Sequence, residues 1–334
     1  MEVVLPGGVD DPATPSGGNV YDRRLCERLD VRETAIPGSW PRPDARARGE
    51  LAAALAGFPD GAVVLLDGLV ACGVPEIVVP EAARLRLAVL VHLALADETG
   101  LEPALAAELD AKEREVLRAA SAVIATGTAA ARRLESHHGL REVHVVAPGV
   151  DPAPFARGTD GVSRLLCVAS VTPRKGHDLL IEALASLADL PWHCVCVGPL
   201  RDTAHTQRVR ELIARHGLGD RVELVGPLTG EPLGDAYAEA DLFVLSSRAE
   251  TYGMVVTEAL ARGIPVLASA VPDALGDGGV LVRPGALTSE LRRWLTDSAH
   301  RDDLRAKAKR RRAELSTWDE SAREMAEVLA SLRA

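Results

Sequence analysis

Short runs of apolar, largely β-branched residues alternate with helix-length amphipathic segments along nearly the whole chain. Most of these runs are continuously apolar, which is typical of parallel strands buried on both faces. Strand–helix–strand repetition at this spacing predicts a doubly wound α/β architecture. The predicted strands cover residues 62–66, 87–91, 122–125, 143–146, 165–169, 194–197, 222–225, 242–245 and 265–268, with helices between them such as 102–119, 177–188 and 206–216.

The alternation breaks once, at residues 147–154, where three prolines in eight residues can continue neither a helix nor a central strand. We therefore predict a first α/β domain at 1–150 and a second at 151–315. The C-terminus is expected to be helical from about residue 290 to residue 333, and its last part, 316–334, could pack back on the first domain. Two such domains would leave a cleft at the carboxyl ends of their strands, where open α/β sheets bind ligands.

Composition argues against several classes of function. A formal net charge of −10 over 334 residues disfavours nucleic acid and anionic membrane as main partners, although peripheral membrane contact stays open. No apolar stretch approaches the roughly 20 residues of a membrane span and no signal peptide is visible, so a cytoplasmic protein is expected.

Five scattered cysteines fit the core of a protein in a reducing compartment and form no zinc motif. A basic run at 305–312 fits a solvated helix face better than a membrane or nucleic-acid patch. The oligomeric state is not indicated.

Two glutamates stand out in the segment 247–266. Glu258 lies within a short, almost wholly apolar helix that begins near Gly253, where an ionised carboxylate is costly unless it meets hydrogen-bond donors. The hydroxyls of a ligand would supply such donors. Glu250 precedes the helix in a loop, next to the backbone N–H groups that a helix N-terminus offers to an anion. The alternative is a structural glutamate on an exposed helix face with a second glutamate nearby by chance.

A second candidate segment follows the first strand of the second domain. Lys175 is one of only four lysines in the chain, and it stands beside Arg174 at a strand-to-helix turn. Two cations at the carboxyl edge of a sheet can neutralise a leaving diphosphate. The alternative is a solvated charge pair at a helix start.

The first domain offers weaker signals at the same edge of its sheet. After a short strand and a loop, Gly17 and Gly18 open a helix, and glycines there let the backbone approach a phosphate. The loop does not match the dinucleotide fingerprint, and a plain surface turn is the alternative. His92 follows the predicted strand 87–91, where a structural histidine is the alternative to a functional one. Asp67 follows the strand 62–66 in the same way.

The two motifs of the second domain resemble a known family. Glu250 and Glu258 with seven residues between them, Tyr252-Gly253, the segment 263–266 and Pro173-Arg-Lys-Gly176 are together similar to the retaining GT-B glycosyltransferases of family 4. The resemblance covers about residues 163–285, and residues 148–151 are similar to that family's domain junction. It implies a GT-B fold, in which two Rossmann-like doubly wound domains face each other across a cleft. It also implies transfer of a sugar from a nucleotide diphosphate sugar to an acceptor, with retention of configuration.

The resemblance implies roles for individual residues. Glu258 would bind the ribose hydroxyls of the donor, Glu250 the hydroxyls of the transferred sugar, and Lys175 the diphosphate. The catalytic set would be Lys175, Glu250 and His92, with His92 contacting the transferred sugar. The remaining donor-binding candidates are Gly17, Gly18, Arg174, Tyr252, Gly253 and Met254, and weaker acceptor-side candidates are Asn19, Asp67 and Asp97. Where the family often has Gly-Arg, this chain has Ala169-Ser170, so one cation for the diphosphate is missing unless Arg174 replaces it.

A front-face displacement is the mechanism that the resemblance implies. The leaving diphosphate oxygen takes the acceptor's proton, so the protein positions the reactants and stabilises the departing charge. No Asp-x-Asp metal motif is present, and we expect a metal-independent enzyme without a cofactor. A GT-B epimerase or phosphorylase and a non-catalytic nucleotide-sugar binding module are the alternatives. The lack of a basic amphipathic helix favours a small soluble acceptor.

Overall fold

The computed structural model describes residues 1–9, 16–98 and 100–333. The chain divides into two compact units, the first comprising Met1–Gly149 with Ser316–Ala334 and the second comprising Val150–Leu315. Each unit is an α/β structure around one parallel sheet. Among the described residues, no helix is both long and apolar enough to cross a membrane.

The first unit contains a six-stranded sheet in the order β2-β1-β3-β4-β5-β6, with every neighbouring pair parallel. The central strands β3 and β4 are buried and apolar, apart from the buried Asp67, the last residue of β3, and the exposed Arg86, the first residue of β4, because helices cover both faces of the sheet. The order changes direction between β1 and β3, so the carboxyl edge has its ligand-binding position there. The strands are β1 (Glu2–Pro6), β2 (Arg32–Ile36), β3 (Val63–Asp67), β4 (Arg86–Val91), β5 (Ala122–Ala125) and β6 (His144–Val145).

Within the part of the chain that the structure describes, seven helices of the first unit surround this sheet. Side-chain caps fix where several of them begin: Ser16 accepts the N–H of Asn19 at the start of α1, and Asp44 accepts that of Ala47 at the start of α2. The helices are α1 (Gly17–Cys26), α2 (Ala45–Ala56), α3 (Gly68–Ala71), α4 (Pro75–Glu81), α5 (Pro103–Ala119), α6 (Thr128–His138) and α14 (Trp318–Ser331), the last numbered by its place in the chain, and a 3₁₀ turn spans Leu95–Asp97.

The C-terminal helix α14 is part of the first unit. Its Trp318 lies edge-on to Tyr21 of α1 with ring centroids 5.8 Å apart. Ser321 donates a hydrogen bond to the carbonyl of Ala147, 2.7 Å away. A capping box formed by Thr317 and Glu320 starts the helix.

The second unit contains another six-stranded parallel sheet, in the order β12-β11-β10-β7-β8-β9. Counted within the unit, this is the Rossmann order, and its direction changes between β7 and β10. The loops that leave those two strands therefore meet at the ligand-binding edge of the sheet. The strands are β7 (Arg164–Val168), β8 (His193–Val197), β9 (Val222–Gly226), β10 (Leu242–Leu245), β11 (Val266–Ala268) and β12 (Gly279–Leu281).

Helices connect the strands of the second unit, and the region after about residue 290 is helical, as predicted. Three helices occupy it, because Asp297 caps a new helix that begins at Ser298 by accepting the N–H of His300, and residues 313–317 separate that helix from α14. The helices of this unit are α7 (His177–Ala185), α8 (Thr203–Arg215), α9 (Gly230–Ala238), α10 (Met254–Ala261), α11 (Pro272–Leu275), α12 (Leu287–Thr296) and α13 (Ser298–Arg312), with a 3₁₀ turn at Pro173–Lys175.

The nine predicted strands all exist, as β3 to β11, with ends that differ by at most one residue. The prediction named neither β2 nor β12, which are edge strands of the two sheets. In the basic run at 305–312, Arg305 donates to the carbonyl of Gly161, Arg311 to that of Asp273 and Arg312 to that of Ala153. The solvated-face interpretation is therefore incomplete, because these arginines bind nearby backbone of the second unit.

Candidate functional site

Two loops meet at the carboxyl edge of the second unit's sheet, where the strand order changes direction. The first is the 3₁₀ turn Pro173–Lys175, which follows β7 and precedes α7. The second contains Ser247 and Glu250 and connects β10 to α10. Because β7 and β10 are neighbouring parallel strands, their carboxyl ends bring the two loops together.

Glu250 and the two predicted cations form one ion-paired cluster. Lys175 Nζ lies 2.5 Å from Glu250 Oε1, and Arg174 Nη1 lies 3.3 Å from Glu250 Oε2. The hydroxyl of Ser247 donates to the same carboxylate at 2.6 Å. The Glu250 side chain is only 5% exposed. Burial alone would raise the pKa of this carboxyl, but Lys175 and Ser247 outweigh burial and lower it below its usual value.

The lysine of this cluster is itself buried, and the turn that carries it packs tightly. Burial lowers the pKa of Lys175, against the opposing effect of Glu250. Gly176 adopts a left-handed φ of +66°, and a Cβ at this position would lie 2.1 Å from the carbonyl oxygen of Ser246. Only glycine fits there, and the close approach fixes the turn against the end of β10.

The helix α10 begins immediately after the second loop. Gly253 precedes it in a left-handed conformation, and Met254 is its first residue. The first N–H groups of a helix have no acceptor within it, so this end can receive an anion. Tyr252 is nearly buried, and burial raises the pKa of its hydroxyl to about 12. The predicted residues 252–254 thus form the entry to α10.

Glu258 lies one turn into α10 and is held by a tyrosine from α9. Tyr237 donates its hydroxyl to Glu258 Oε2 at 2.8 Å. The Arg262 guanidinium stacks 4.5 Å above the Tyr237 ring. Burial raises the pKa of Glu258, although the hydrogen bond from Tyr237 acts in the opposite direction. This carboxylate therefore has one oxygen fixed by the protein itself, whereas the sequence alone suggested only the hydroxyls of a ligand as donors.

In the first unit, His92 lies between two buried aspartates. Its Nε2 is 2.9 Å from Asp22 Oδ1 and 3.7 Å from Asp67 Oδ2. Burial lowers the pKa of His92, but Asp22 and Asp67 outweigh it and raise the pKa to about 9. Burial together with Asp22 raises the pKa of Asp67 to about 7. The two predicted residues His92 and Asp67 therefore belong to one cluster, at the edge where β3 and β4 end.

The predicted glycines lie next to this cluster. Gly17 is the first residue of α1, and a Cβ at Gly18 would lie 3.2 Å from the His92 ring. The second glycine therefore lets the helix approach the imidazole closely. Asn19 donates its N–H to Ser16 and its side-chain amide to the carbonyl of Gly8 at 3.5 Å. Residues 10–15 of the preceding loop lie outside the described residues.

Asp97 has a different environment from the other acceptor-side candidates. It forms an ion pair with Arg133 of α6. Both residues line a cavity of about 310 Å³ together with His137 and His138. Asp97 is thus occupied by a salt bridge within the first unit.

Three groups of potential metal ligands occur among the described residues. None of them includes the cluster around Glu250, and no member belongs to the two loops that carry it. Our expectation of a metal-independent reaction stays a prediction. The groups are Cys167 with His177 and Cys196, Asp110 with His137 and His138, and Asp22 with Asp67 and His92.

Several residues that bind the side chains of the predicted site residues were not predicted from the sequence. Tyr237 lies in another helix, 21 residues before its partner Glu258, and no local pattern connects the two. Ser247 precedes Glu250 by three residues, and at this spacing a hydroxyl can donate to a carboxylate further along the same loop. Asp22 lies in the helix opened by the two predicted glycines, and only the fold places it at His92.

The two Rossmann-like units, with charged residues at the edge of the second sheet, define a protein of the GT-B fold class. The structure superposes on sucrose-phosphate synthase from Thermosynechococcus elongatus with a TM-score of 0.80 at 21% identity over 99% of each chain. It superposes on Anabaena HepE in complex with UDP and glucose with a TM-score of 0.77 at 17% identity, covering 99% of this chain and 100% of that one. These likenesses concern the fold.

The sequence also matches a known family. The family model described as "Glycosyl transferases group 1" matches residues 156–311, which is nearly the whole of the second unit. A D-inositol 3-phosphate glycosyltransferase of Jonesia denitrificans is 31% identical over 247 residues, which cover 65% of this chain and 58% of that protein. The match thus spans somewhat more than half the length of this curated relative.

Proposed function

We propose that this protein transfers a sugar from a nucleoside diphosphate sugar to a small acceptor, with retention of configuration at the transferred sugar. The observation that carries the proposal is that Arg174 and Lys175 both pair with Glu250, at the edge where the strand order of the second sheet changes direction. A cation pair beside a carboxylate suits a ligand with a diphosphate next to a hydroxyl-rich sugar. The match of the second unit to the glycosyl transferases group 1 model supports the same reaction class.

The donor would bind along the carboxyl edge of the second sheet. Its diphosphate would take the place of Glu250 as the partner of Lys175 and Arg174, next to the N–H groups at the start of α10. Glu250 would then be free to accept hydrogen bonds from the hydroxyls of the transferred sugar. Glu258, oriented by Tyr237, would accept those of the ribose.

The reaction would proceed by front-face displacement. The bond from the anomeric carbon to the diphosphate oxygen breaks, while a bond from the acceptor oxygen to the same carbon forms on the same face. The acceptor's proton passes to the leaving diphosphate oxygen, so the step balances without a protein base. The contribution of the protein is orientation and stabilisation of the negative charge on the leaving group.

We also propose that the leaving charge is neutralised without a metal ion. Arg174 lies beside Lys175 and would supply the positive charge that the family resemblance assigns to the position of Ser170. Its guanidinium has the planar geometry that suits phosphate oxygens. Full activity in excess EDTA is the expected result, and activity that requires added Mg²⁺ would contradict this part of the proposal.

The acceptor would bind to the first unit, where His92 and its two aspartates occupy the edge of the sheet. An imidazole with a raised pKa is charged at neutral pH and can donate a hydrogen bond to a sugar oxygen. We propose a small soluble acceptor, and D-inositol 3-phosphate is a reasonable first compound because a curated relative is named for it. The burial of all five cysteines is compatible with a reaction in the reducing cytoplasm.

Turnover with defined donors tests the proposal. Purified protein is incubated with UDP-, GDP- and ADP-linked hexoses and a panel of polyols, sugars and their phosphates, and NMR determines the anomeric configuration of the product. We expect one donor to give a product that retains the donor's configuration. Glu250→Gln should abolish turnover, while Glu239→Gln, an exposed matched control, should leave it unchanged. An inverted product would refute retention, and release of the sugar as a 1-phosphate would refute transfer.

A further inference from the structure

Arg248 connects the two loops of the candidate site through both its side chain and its backbone. Its Nη1 and Nη2 atoms lie 2.9 and 2.8 Å from the two carboxylate oxygens of Asp178. The same Nη1 donates to the carbonyl of Pro173 at 2.6 Å. The backbone N–H of Arg248 donates to the carbonyl of Arg174 at 2.7 Å. One residue of the loop after β10 thus binds the 3₁₀ turn after β7 at several points.

These contacts bracket the two cations of the site. Pro173 and Arg174 belong to the 3₁₀ turn, and Asp178 lies in the first turn of α7, just beyond Gly176. Arg248 therefore binds the chain on both sides of Lys175, at Pro173 before it and at Asp178 after it. Arg174 returns the connection, because its Nη1 donates to the carbonyl of Ala249 at 3.2 Å. The turn and the loop form one hydrogen-bonded unit.

The geometry of the pair favours a fixed orientation over mere attraction. A guanidinium that binds both oxygens of one carboxylate fixes distance and direction together, which a lysine ammonium cannot do. Asp178 is mostly buried at 13% exposure, while Arg248 is 42% exposed. Burial raises the pKa of Asp178, but Arg248 more than offsets this and lowers it below its usual value. The carboxylate therefore stays charged in the neutral range.

We propose that Arg248 is a positioning residue for donor binding: together with Asp178 it holds the turn so that Arg174 and Lys175 both face the diphosphate. This inference rests on the proposed function. Arg248 itself need not touch the donor. When the turn is ordered before the donor binds, less entropy is lost on binding, because two long cationic side chains are already in position.

The test compares two ligands on the same variants. Affinities for a nucleoside diphosphate and for the monophosphate of the same base are measured by calorimetry, using whichever of UDP, GDP and ADP the wild type binds most tightly. The preference is the Kd for the monophosphate divided by the Kd for the diphosphate. In Arg248→Ala this ratio should fall by about tenfold or more, because the second phosphate depends most on the positioned cations. Arg248→Lys should lose a similar share, since charge alone does not restore the two-oxygen contact.

Arg292→Ala is the matched control. Arg292 also pairs with an aspartate, Asp189, and donates to a backbone carbonyl in the second unit, at similar exposure. This variant should keep the wild-type preference, with a melting temperature close to that of Arg248→Ala. If Arg248→Ala does not fold, Asp178→Asn replaces it, because it removes the charged partner with little change in volume.

The outcomes separate this inference from the proposed function. A wild-type protein that binds no nucleotide refutes both. A wild type that prefers the diphosphate, with the same preference in Arg248→Ala, overturns the positioning role alone. Full preference in Arg248→Lys would overturn it as well, since the positive charge would then be sufficient.

Discussion

The cluster around His92 makes the stability of the first unit depend on pH in a defined direction. Asp22 approaches the imidazole to 2.9 Å and is the main reason that the His92 pKa rises against the effect of burial. Replacing Asp22 with asparagine keeps the size of the side chain and removes its charge. We expect the His92 pKa to fall from about 9 towards its usual value of 6.5.

The magnitude follows from linkage. A shift from 6.5 to about 9 is about 2.5 pKa units, or about 3 kcal/mol of preference for the protonated folded state. Because the folded pKa is raised, this stabilisation is fully present below pH 6.5 and is lost as the pH rises through 9. Between pH 7 and pH 9.5 the wild type should lose about 2 kcal/mol of unfolding free energy through this group. The Asp22→Asn variant should lose less than half as much.

Two measurements check this prediction. Histidine proton NMR, with the resonance assigned from His92→Gln, follows the titration directly, and denaturant unfolding at pH 7 and pH 9.5 gives the free energies. Asp110→Asn is a matched control, because Asp110 pairs with His137 elsewhere in the first unit and should leave the His92 titration unchanged. A wild-type His92 that titrates near 6.5, or one that is unaffected by Asp22→Asn, would contradict a pairing of His92 with Asp22 that raises the His92 pKa.

Three further substitutions give separate expectations. Gly176→Ala should destabilise the second unit by at least about 2 kcal/mol in denaturant unfolding, because its Cβ would lie 2.1 Å from the Ser246 carbonyl oxygen at a left-handed φ. Asp241→Ala should cost about 3 kcal/mol in the same assay, since the carboxylate accepts hydrogen bonds from Thr159, Gly161 and Arg164; a loss below about 0.5 kcal/mol would contradict this. Tyr237→Phe removes the hydrogen bond that lowers the Glu258 pKa, so the acid limb of nucleotide binding should move to higher pH, and an unshifted profile would argue against this pairing.

The central strands could be predicted because a strand that is buried on both faces has a continuously apolar sequence. The edge strand β2 reads Arg-Glu-Thr-Ala-Ile and is mostly exposed, so it lacks that signal. The other missed strand, β12, has three residues, and its Gly279 packs against the carbonyl of Val266. Such strands are specified by pairing with a neighbour, which a single sequence does not display.

The candidate site was predictable to the extent that its residues follow strands. Lys175, Glu250 and His92 each stand at the carboxyl end of an apolar run, so parallel-sheet topology brings the first two together. The residues that orient the site, such as Tyr237 at Glu258 and Asp178 at Arg248, could not be predicted in the same way. Tyr237 and Asp178 reach their partners across 21 and 70 residues, and those contacts depend on helix packing.

The most direct test of the account is whether Lys175 binds the diphosphate of a nucleotide. Calorimetric titration of UDP, GDP and ADP should show binding of one of them to the wild type. Lys175→Met should weaken it by about 10-fold or more, the loss of one hydrogen bond to a charged group. Lys307→Met, which removes a half-buried lysine of α13 in the same unit, should bind as the wild type does. If no nucleoside diphosphate binds, or if Lys175→Met binds as tightly as Lys307→Met, the proposed donor site is wrong.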